Sequence, residues 1–464
     1  MARGTETAVR AYLAEHRDEL VSHLAEWVGV PSVAGLPEHE MDLLRSAHWL
    51  AGLLRATGFP TVEVWKADGA PAVYAEWCAA PGAPTVLIYS HHDVRAVKDE
   101  QWEETTPFQA VVRDGYVYGR GSSDAKGQVL AHVWALRAHL AATGAGAPVV
   151  NIRLLVEGEE ETGSARLATL LEDNRERLGA DLIVFSDTLL WHAEHPAVCT
   201  SMRGMVLAQL RVYGPLRDMH SGVVSGPAPN PVLELSRLLA SLHDDKGRIT
   251  LPGFYDDVVE PGERRRAELA ALPFTDQDWL ERSDTRSIGG EAGYTVLERL
   301  WLRPAVEVIS VLAGNPVGPS MGAVPAVAEA TLSIRIVPDQ DPAVVARQLR
   351  VWIAGIISDR VGHELIVSAE TGQKPYATPP DHPAVAALAE AMEKAWQVPA
   401  GRMGNAGGGP AELLARMVGA PVLFFGTGLP EDRWHDSDER ASIDVLLAGA
   451  ATLAALWPRL AAGN

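Results

Sequence analysis

Apolar residues recur at intervals of three and four along several stretches of the chain, which is the spacing of a helix with one buried face. In the first stretch the pattern runs from Val9 to Val28 and predicts a helix over Thr5–Val28, which Pro31 ends. The same spacing predicts further helices over Glu38–Thr57, Gly127–Ala142, Ser164–Leu178, Pro383–Trp396 and Asp444–Leu460.

Between these helices lie four short runs that are almost entirely apolar. They are Thr85–Tyr89, Val149–Val156, Asp181–Phe185 and Pro421–Phe425. Strands without a polar side are typical of a sheet that is covered on both faces, as in α/β proteins with a mostly parallel sheet. The alternation of these runs with helices therefore predicts an α/β fold.

The pattern changes between residues 202 and 373. Met205–Val212 and Ala328–Val337 alternate apolar and polar residues, which is typical of half-exposed antiparallel strands. Asn230–His243 and Pro342–Ile357 have helical spacing. Asp245–Pro319 is polar and rich in proline and glycine, so we expect irregular structure with short helices there.

The change of pattern predicts an insertion of α+β type. A chain of 464 residues is too long for one simple core, so more than one domain is expected. We place an inserted domain at residues 201–375, between the two parts of an α/β domain at residues 1–200 and 376–464.

Composition and charge narrow the possible partners and location. The net charge of −20 argues against binding to nucleic acid or to an anionic membrane. Cys78 and Cys199 are too few for a disulfide framework, which favours a reducing compartment. No uninterrupted apolar run reaches the ~18 residues of a membrane span. We therefore expect a cytoplasmic protein with neither nucleic acid nor membrane as a partner.

Histidines and carboxylates follow each of the four apolar runs. They are His91 and Asp93, the glutamates Glu159 to Glu161, Asp187, and His435. In open α/β sheets functional sites collect at the carboxyl ends of the strands. Three adjacent glutamates alone fit either a solvated loop or a cation site. Their convergence with three other strand ends favours the cation.

Seven segments resemble, in order, the motifs of one family. They are Ser90–Val94 (SHHDV), Gly119–Gly127 (GRGSSDAKG), Glu157–Ser164 (EGEEETGS), Ser186–Asp187, His220–Gly222 (HSG), Ser333–Pro338 (SIRIVP) and His435. The chain thereby resembles the M-twenty metallopeptidases, which include carnosine-type dipeptidases, aminoacylases and succinyl-diaminopimelate desuccinylase. The resemblance implies a di-zinc catalytic domain interrupted by a lid and dimerisation domain.

The resemblance also implies the roles of the metal-site residues. Asp124 would bridge two zinc ions, with manganese or cobalt as alternatives, and its peptide bond to Ala125 would be cis. His91 and Asp187 would bind one ion, and Glu161 and His435 the other. Imidazole and carboxylate are ligands that zinc accepts readily.

Two other acidic residues of the motifs have roles that do not involve binding a metal. By resemblance Glu160 is the general base that activates water, and Asp93 fixes the tautomer of a ligand histidine. For other histidines and acidic residues we predict no role in the site. We expect His92 to point away from it, His192 and His195 to lie in a loop, Asp436 and Asp438 to be solvated, and Glu159 to be a surface charge.

Substrate-binding roles are implied for His220, Arg335 and Gly408, with the lids pairing into a homodimer and His220 reaching the partner's active site. The loop Asn405–Ala411 departs from the family pattern, because Asn405 stands where dipeptidase members carry arginine and Gly409 where they carry serine. Gly322 is a second departure, in the motif before Pro325. We therefore expect a wider, less polar pocket than that of a strict carnosine dipeptidase.

The leading hypothesis is metal-dependent hydrolysis of a peptide or amide bond next to a free carboxylate, as in a dipeptidase. The alternative on the same site is an N-acyl amino acid amidohydrolase. A remote alternative is a serine hydrolase using Ser320 in the G-x-S-x-G stretch, although that motif needs a helix after the serine. A non-catalytic binding protein is disfavoured, because it would not need Glu160 beside the five ligands.

Overall fold

A computed structural model describes residues 2–66, 70–98, 101–314, 322–368 and 372–463. The helices are, in chain order, α1 Ala2–Glu15, α2 Arg17–Val28, α3 Glu40–Thr57, α4 Lys126–Thr143, α5 Leu167–Asp173, α6 Arg175–Leu178, α7 Ser221–Val224, α8 Pro231–Ala240, α9 Glu263–Ala270, α10 Asp276–Ser283, α11 Val296–Trp301, α12 Pro342–Ile356, α13 Pro383–Trp396, α14 Ala411–Val418 and α15 Ile443–Ala462.

The strands are, in chain order, β1 Thr61–Trp65, β2 Ala72–Trp77, β3 Thr85–His91, β4 Val111–Arg113, β5 Tyr116–Tyr118, β6 Asn151–Glu157, β7 Leu182–Phe185, β8 Ala197–Met202, β9 Gly204–Tyr213, β10 Met219–His220, β11 Ala305–Ala313, β12 Ala323–Val324, β13 Val327–Ile336, β14 Gly362–Val367, β15 Tyr376–Ala377, β16 Gly401–Asn405, β17 Val422–Phe424 and β18 Arg440–Ser442.

The predicted α/β fold is confirmed by the larger sheet. Its strands follow the order β1-β2-β6-β3-β7-β17-β8-β15, and β16 also pairs with β8. The central strands β6, β3, β7 and β17 are parallel, whereas β1, β2 and β15 pair antiparallel at the edges. These central strands are the four apolar runs of the sequence, and nearly all their residues are buried. Their carboxyl ends consequently meet at one edge.

Hydrophobic residues cover both faces of this sheet. One face packs against α1 to α4, α13 and α15. The other packs against α5, α11 and α14. Burial on both sides explains why the central strands have no polar face.

A second sheet comes from the middle of the chain. Its strand order is β11-β13-β9-β14, all antiparallel, and it has a core of its own with α8 and α12. β9 and β13 alternate between buried and partly exposed residues, as their sequence pattern predicts. The role of this region as a separate lid or dimerisation domain stays a prediction, as do its boundaries.

Two predicted helices are each interrupted at a polar residue in the structure. The predicted helix Thr5–Val28 is interrupted at His16, whose Nδ1 lies 2.8 Å from the carbonyl oxygen of Tyr12. The helix predicted over Ser164–Leu178 starts only at Leu167 and is broken at Asn174, whose side chain donates to Leu170 O at 2.9 Å. In both places a side chain competes for a helical carbonyl group.

The prediction of irregular structure over Asp245–Pro319 was wrong in one important part. The region contains the short helices α9 to α11, as expected, but also the nine-residue strand β11. Ser320 lies outside the described residues. The strand β12, rather than a helix, follows soon after it, which is not the context of a hydrolase nucleophile.

The last helix, α15, is long and apolar enough to cross a membrane, and it alone passes that test within the described part of the chain. It packs against α4, α13 and α1, and Leu453, Leu456 and Trp457 are fully or almost fully buried. These contacts are those of a core helix.

Candidate active site

The ends of three parallel strands bring three of the five predicted metal ligands together. His91 is the last residue of β3, and Asp187 follows β7, the parallel neighbour of β3. Glu161 lies in the 3-10 turn Glu160–Thr162 that follows β6, on the other side of β3. Asp124 lies two residues before Lys126, the first residue of α4, and its bond to Ala125 is cis, as the resemblance implied.

The side chains of these residues form two groups that share Asp124. His91 Nε2 lies 3.1 Å from Asp124 Oδ1 and 3.5 Å from Asp187 Oδ1. His435 Nε2 lies 3.0 Å from Asp124 Oδ2 and 3.2 Å from Glu161 Oε2. In each group the potential ligand atoms lie within 4.8 Å of one another. The two oxygens of Asp124 thus face different groups, as a bridging carboxylate would.

The pKa shifts show how strongly this cluster attracts positive charge. Burial, together with the neighbouring carboxylates, raises the pKa values of Glu161 and Asp187. Hydrogen bonds to Asp124 and Glu161 raise the pKa of His435 to about 10. Burial opposes protonation of His91, but the charge of Asp187 and the bonds to Asp124 and Asp187 outweigh it and raise its pKa. The raised pKa values of both imidazoles follow from the carboxylates beside them.

The donor set fits a pair of divalent cations. Each group offers one imidazole nitrogen and carboxylate oxygens; the shared Asp124 is 3% exposed, whereas His435 is exposed. Zinc is bound by such sets of histidine and carboxylate ligands. Two divalent cations would supply the positive charge that makes this concentration of buried carboxylates favourable.

Asp93 contacts both halves of the site. Its Oδ1 lies 3.4 Å from His91 Nδ1, on the far side of the ring from Asp124. Its two oxygens also accept hydrogen bonds from the backbone N–H groups of Glu160 and Glu161, at 3.2 and 3.0 Å. The sequence suggested only the contact with the histidine. The structure adds that Asp93 holds the turn that carries the glutamates.

Glu160 is the one carboxylate of this turn that lies outside both groups of potential ligands. Its side chain makes no hydrogen bond or ion pair with any described residue, yet it lines the same cavity as Asp124 and Asp187. Burial raises its pKa well above the ordinary value, and the charge of Asp187 adds to the effect. A raised pKa suits a group that must accept and release a proton.

Glu439 is a supporting residue that the sequence did not reveal. It is fully buried, and its carboxylate accepts hydrogen bonds from the backbone N–H groups of Gly121, Ser123 and Asp124 at 2.9 to 3.0 Å. It also forms an ion pair with Arg120 at 2.8 Å. Glu439 thereby fixes the loop before Asp124 to the segment that follows His435. Nothing in the local sequence distinguishes it from an exposed acid.

A cavity of about 760 Å³ opens in front of these residues. Its polar lining includes Asp124, Glu160, Glu161, Asp187 and His435. Its apolar and aromatic lining includes Trp191, Phe274, Trp279, Leu297, Leu300 and Trp301. The cavity can therefore hold a small molecule with an apolar part beside the polar cluster.

Arg335 and Gly408, two of the predicted substrate-binding residues, also line this cavity. The guanidinium of Arg335 makes no hydrogen bond or ion pair with the described residues, and burial lowers its pKa. A Cβ atom at Gly408 would collide with Gln373 Oε1 and lie 3.4 Å from Arg335 Nη1. A glycine at position 408 thus leaves room around this free cation.

The structure corrects the argument that glycines widen the pocket. A Cβ atom on Gly409 would lie 3.0 Å from Phe185 and 3.2 Å from Met202, in the core and not in the cavity. His220 lies in β10, which pairs with the distant strand β12, and Gly322 directly precedes β12; neither residue lines the cavity. His220 is exposed, and the predicted role in a partner's site stays a prediction.

The simpler predictions for neighbouring residues are confirmed for the histidines but wrong for one aspartate. His92 turns away from the site, and its Nε2 lies 2.7 Å from the carbonyl oxygen of Pro71. His192 and His195 lie in a loop beside Trp191. Asp438, in contrast, is only 4% exposed and accepts hydrogen bonds from the backbone N–H groups of Glu103 and Glu104. Asp436 is exposed, as predicted.

A family model for peptidase family M20/M25/M40 matches residues 87–459. The chain belongs to this family. Human Beta-Ala-His dipeptidase is 28% identical over 467 residues, which span 97% of this chain and 92% of the relative. The cysteinylglycine-S-conjugate dipeptidase of Corynebacterium striatum is 26% identical over 442 residues, 93% of each protein.

Solved structures agree with this assignment. Human carnosine dipeptidase 1 is similar with a TM-score of 0.84 and 27% identity, covering 98% of this chain and 99% of that one. The protein is therefore a metal-dependent peptidase, and the two groups around Asp124 are where its fold offers ligands for metal.

Proposed function

We propose that the protein is a dipeptidase, which uses two zinc ions to hydrolyse an amide bond next to a free carboxylate. The observation that carries this proposal is Arg335, an unpaired guanidinium in the same cavity as the metal-site residues. A guanidinium can hold a carboxylate with two parallel hydrogen bonds, which fixes the distance from that carboxylate to the reacting bond. The names of the relatives as dipeptidases support the same substrate class.

The proposed metal ligands are the two groups described above. Bound there, two divalent cations would polarise the amide carbonyl and lower the pKa of a water molecule. Zinc fits the imidazole and carboxylate donors, and manganese or cobalt can take the same set. Asp124 separates the two positions, with one oxygen directed at each group.

Glu160 is the proposed general base. Its unpaired side chain and raised pKa allow it to take a proton from the attacking water and pass it to the nitrogen of the leaving amine. Asp93 keeps this carboxylate in place, because it holds the backbone N–H groups of Glu160 and Glu161. The contact of Asp93 with His91 Nδ1 leaves His91 Nε2 directed at Asp124 and Asp187.

The proposed assembly is a homodimer. β11 has a hydrogen-bonded neighbour on one side only among the described strands, and Ile309, Val311 and Leu312 on it are 50 to 58% exposed. Val223, in helix α7 directly after His220, is 72% exposed. Apolar residues on an unpaired strand edge are a common site of contact between chains. In this proposed dimer His220 would reach the active site of the partner.

The substrate proposal is tested with a dipeptide, its C-terminal carboxamide and an N-acetyl amino acid. We expect the free acid to be hydrolysed with a kcat/KM roughly 10- to 150-fold above that of the carboxamide, since a hydrogen bond to a charged group contributes about 1.5–3 kcal/mol. Arg335→Gln should abolish this preference, whereas Arg347→Gln, which changes an exposed arginine of α12, should keep it.

Equal rates for acid and carboxamide in the wild type would contradict the role of Arg335. Faster hydrolysis of the N-acetyl amino acid than of any dipeptide would instead establish the N-acyl amino acid amidohydrolase.

A further inference from the structure

A short segment of the inserted region reaches the proposed active-site cavity. Residues 274–283, here called the strap, comprise Phe274, Thr275 and helix α10. Thr275 and Asp278 form a reciprocal capping box that fixes the start of this helix. Phe274, Trp279, Arg282 and Ser283 of the strap line the same cavity as Asp124, Glu160 and Arg335.

Arg282 ties the strap to two loops of the metal site. Its Nε lies 2.7 Å from Glu431 Oε1, four residues before His435. Its Nη1 donates to the carbonyl oxygen of Trp191, four residues after Asp187, at 3.0 Å. Its guanidinium also lies over the ring of Phe274, which packs edge-on against Trp191. The strap is therefore held at a fixed place relative to the candidate ligands.

Trp279 has no evident task in the packing of the protein. It belongs to none of the hydrophobic cores, and its indole makes no hydrogen bond or ring contact with the described residues. It is nevertheless half-buried, and it lines the cavity. Phe274, Leu297 and Leu300 line the same cavity, so that aromatic and aliphatic groups contribute together to its walls.

We propose that the strap forms an apolar subsite that selects dipeptides with a large apolar side chain, and that Trp279 is its main specificity-determining residue. This inference rests on the proposed dipeptidase function. A large apolar side chain would cover indole surface of Trp279 and remove it from water, which favours binding. A small side chain would leave the same surface in contact with water, and each apolar contact in a pocket changes kcat/KM by a limited but measurable factor.

The test compares Leu-Gly with Ala-Gly, and Gly-Leu with Gly-Ala, in the zinc-supplemented enzyme. We expect the leucine-to-alanine ratio of kcat/KM to fall about tenfold or more in Trp279→Ala for one of the two series, which identifies the side of the scissile bond. Trp279→Phe should recover most of the ratio. Gln277→Ala, on the exposed side of the same helix, is the matched control and should keep the wild-type ratio.

Unchanged leucine-to-alanine ratios in both series for Trp279→Ala would overturn the proposal, even if kcat/KM falls equally for the leucine and alanine substrates. Binding of the same four dipeptides to Glu160→Gln and to Glu160→Gln/Trp279→Ala by calorimetry gives a second readout without turnover. A leucine preference in binding that disappears with Trp279 supports the subsite even if the wild type hydrolyses none of them. That last result would refute only the dipeptidase function.

Discussion

At the scale of single residues, the main feature of the site is the close approach of several carboxylates. Asp124 and Glu161 are buried and Asp187 is mostly so, and Asp124 shares one group of potential ligands with His91 and Asp187 and another with Glu161 and His435. Buried carboxylates stay ionised only beside positive charge, which protons or metal ions can supply. Glu160 differs from them because it faces the cavity without a partner. That difference separates the ligands from the base.

This separation predicts different outcomes for two substitutions. Glu160→Gln should lower kcat by at least ~10²-fold, the usual contribution of a general base, while two metal ions stay bound. Asp124→Ala should lose metal as well as activity, because both groups share this carboxylate. Rates and metal content of the purified variants check both. An active Glu160→Gln enzyme would show that another group activates the water.

The site residues at strand ends could be predicted because strand direction alone brings them to one edge. Arg335 and Gly408 also lie at the cavity, as expected. The effect of Gly409 could not be predicted, because the direction of its missing Cβ depends on the fold of the loop, and that direction is into the core. The contribution of Phe274 and Trp279 to the cavity could not be predicted either, because they belong to a polar stretch of the sequence without a clear period.

At the scale of elements, the loop before α4 depends on a distant carboxylate. Glu439 satisfies three backbone N–H groups of residues 121–124 and the guanidinium of Arg120. Burial raises the pKa of Glu439, so the ionised carboxylate needs these donors. Glu439 thereby links Asp124 to the segment that carries His435. This link helps to keep the distance between the two groups of ligands.

We therefore expect Glu439→Ala to destabilise the protein by about 3–5 kcal/mol, since it leaves a buried charge and several donors unpaired. The free energy of unfolding from urea titration measures this loss. Glu172→Ala, which removes an exposed carboxylate of α5, should change stability by less than about 0.5 kcal/mol. Equal effects of the two substitutions would refute the role of Glu439.

Strands and helices with one clear period could be predicted, whereas β11 could not. Its sequence, AVEVISVLA, is apolar on both faces, and a register shift between Val308 and Ser310 disturbs the alternation. Most of its residues are partly or largely exposed, so burial does not impose a pattern on them. An exposed strand at the edge of a sheet therefore need not show the alternation of apolar and polar residues that identifies a half-buried strand.

At the scale of the whole molecule, the proposed dimer has a test by complementation. If His220 acts in the partner's site, a mixture of His220→Ala and Glu160→Gln chains forms heterodimers with one intact site. With equal amounts and free exchange, activity should return to roughly a quarter of the wild-type value, because half of the dimers are mixed and each has one working site. Absence of recovery, with subunit exchange verified by mass spectrometry, would rule out a shared site.

The central claim, a dipeptidase that depends on two metal ions, is tested most directly by titrating the chelator-treated protein with zinc while dipeptide hydrolysis is measured. We predict no activity without metal and a rise that reaches its plateau at two zinc ions per chain, one for each group around Asp124. Full activity of metal-free protein, or no dipeptide hydrolysis with two ions bound, would contradict the account.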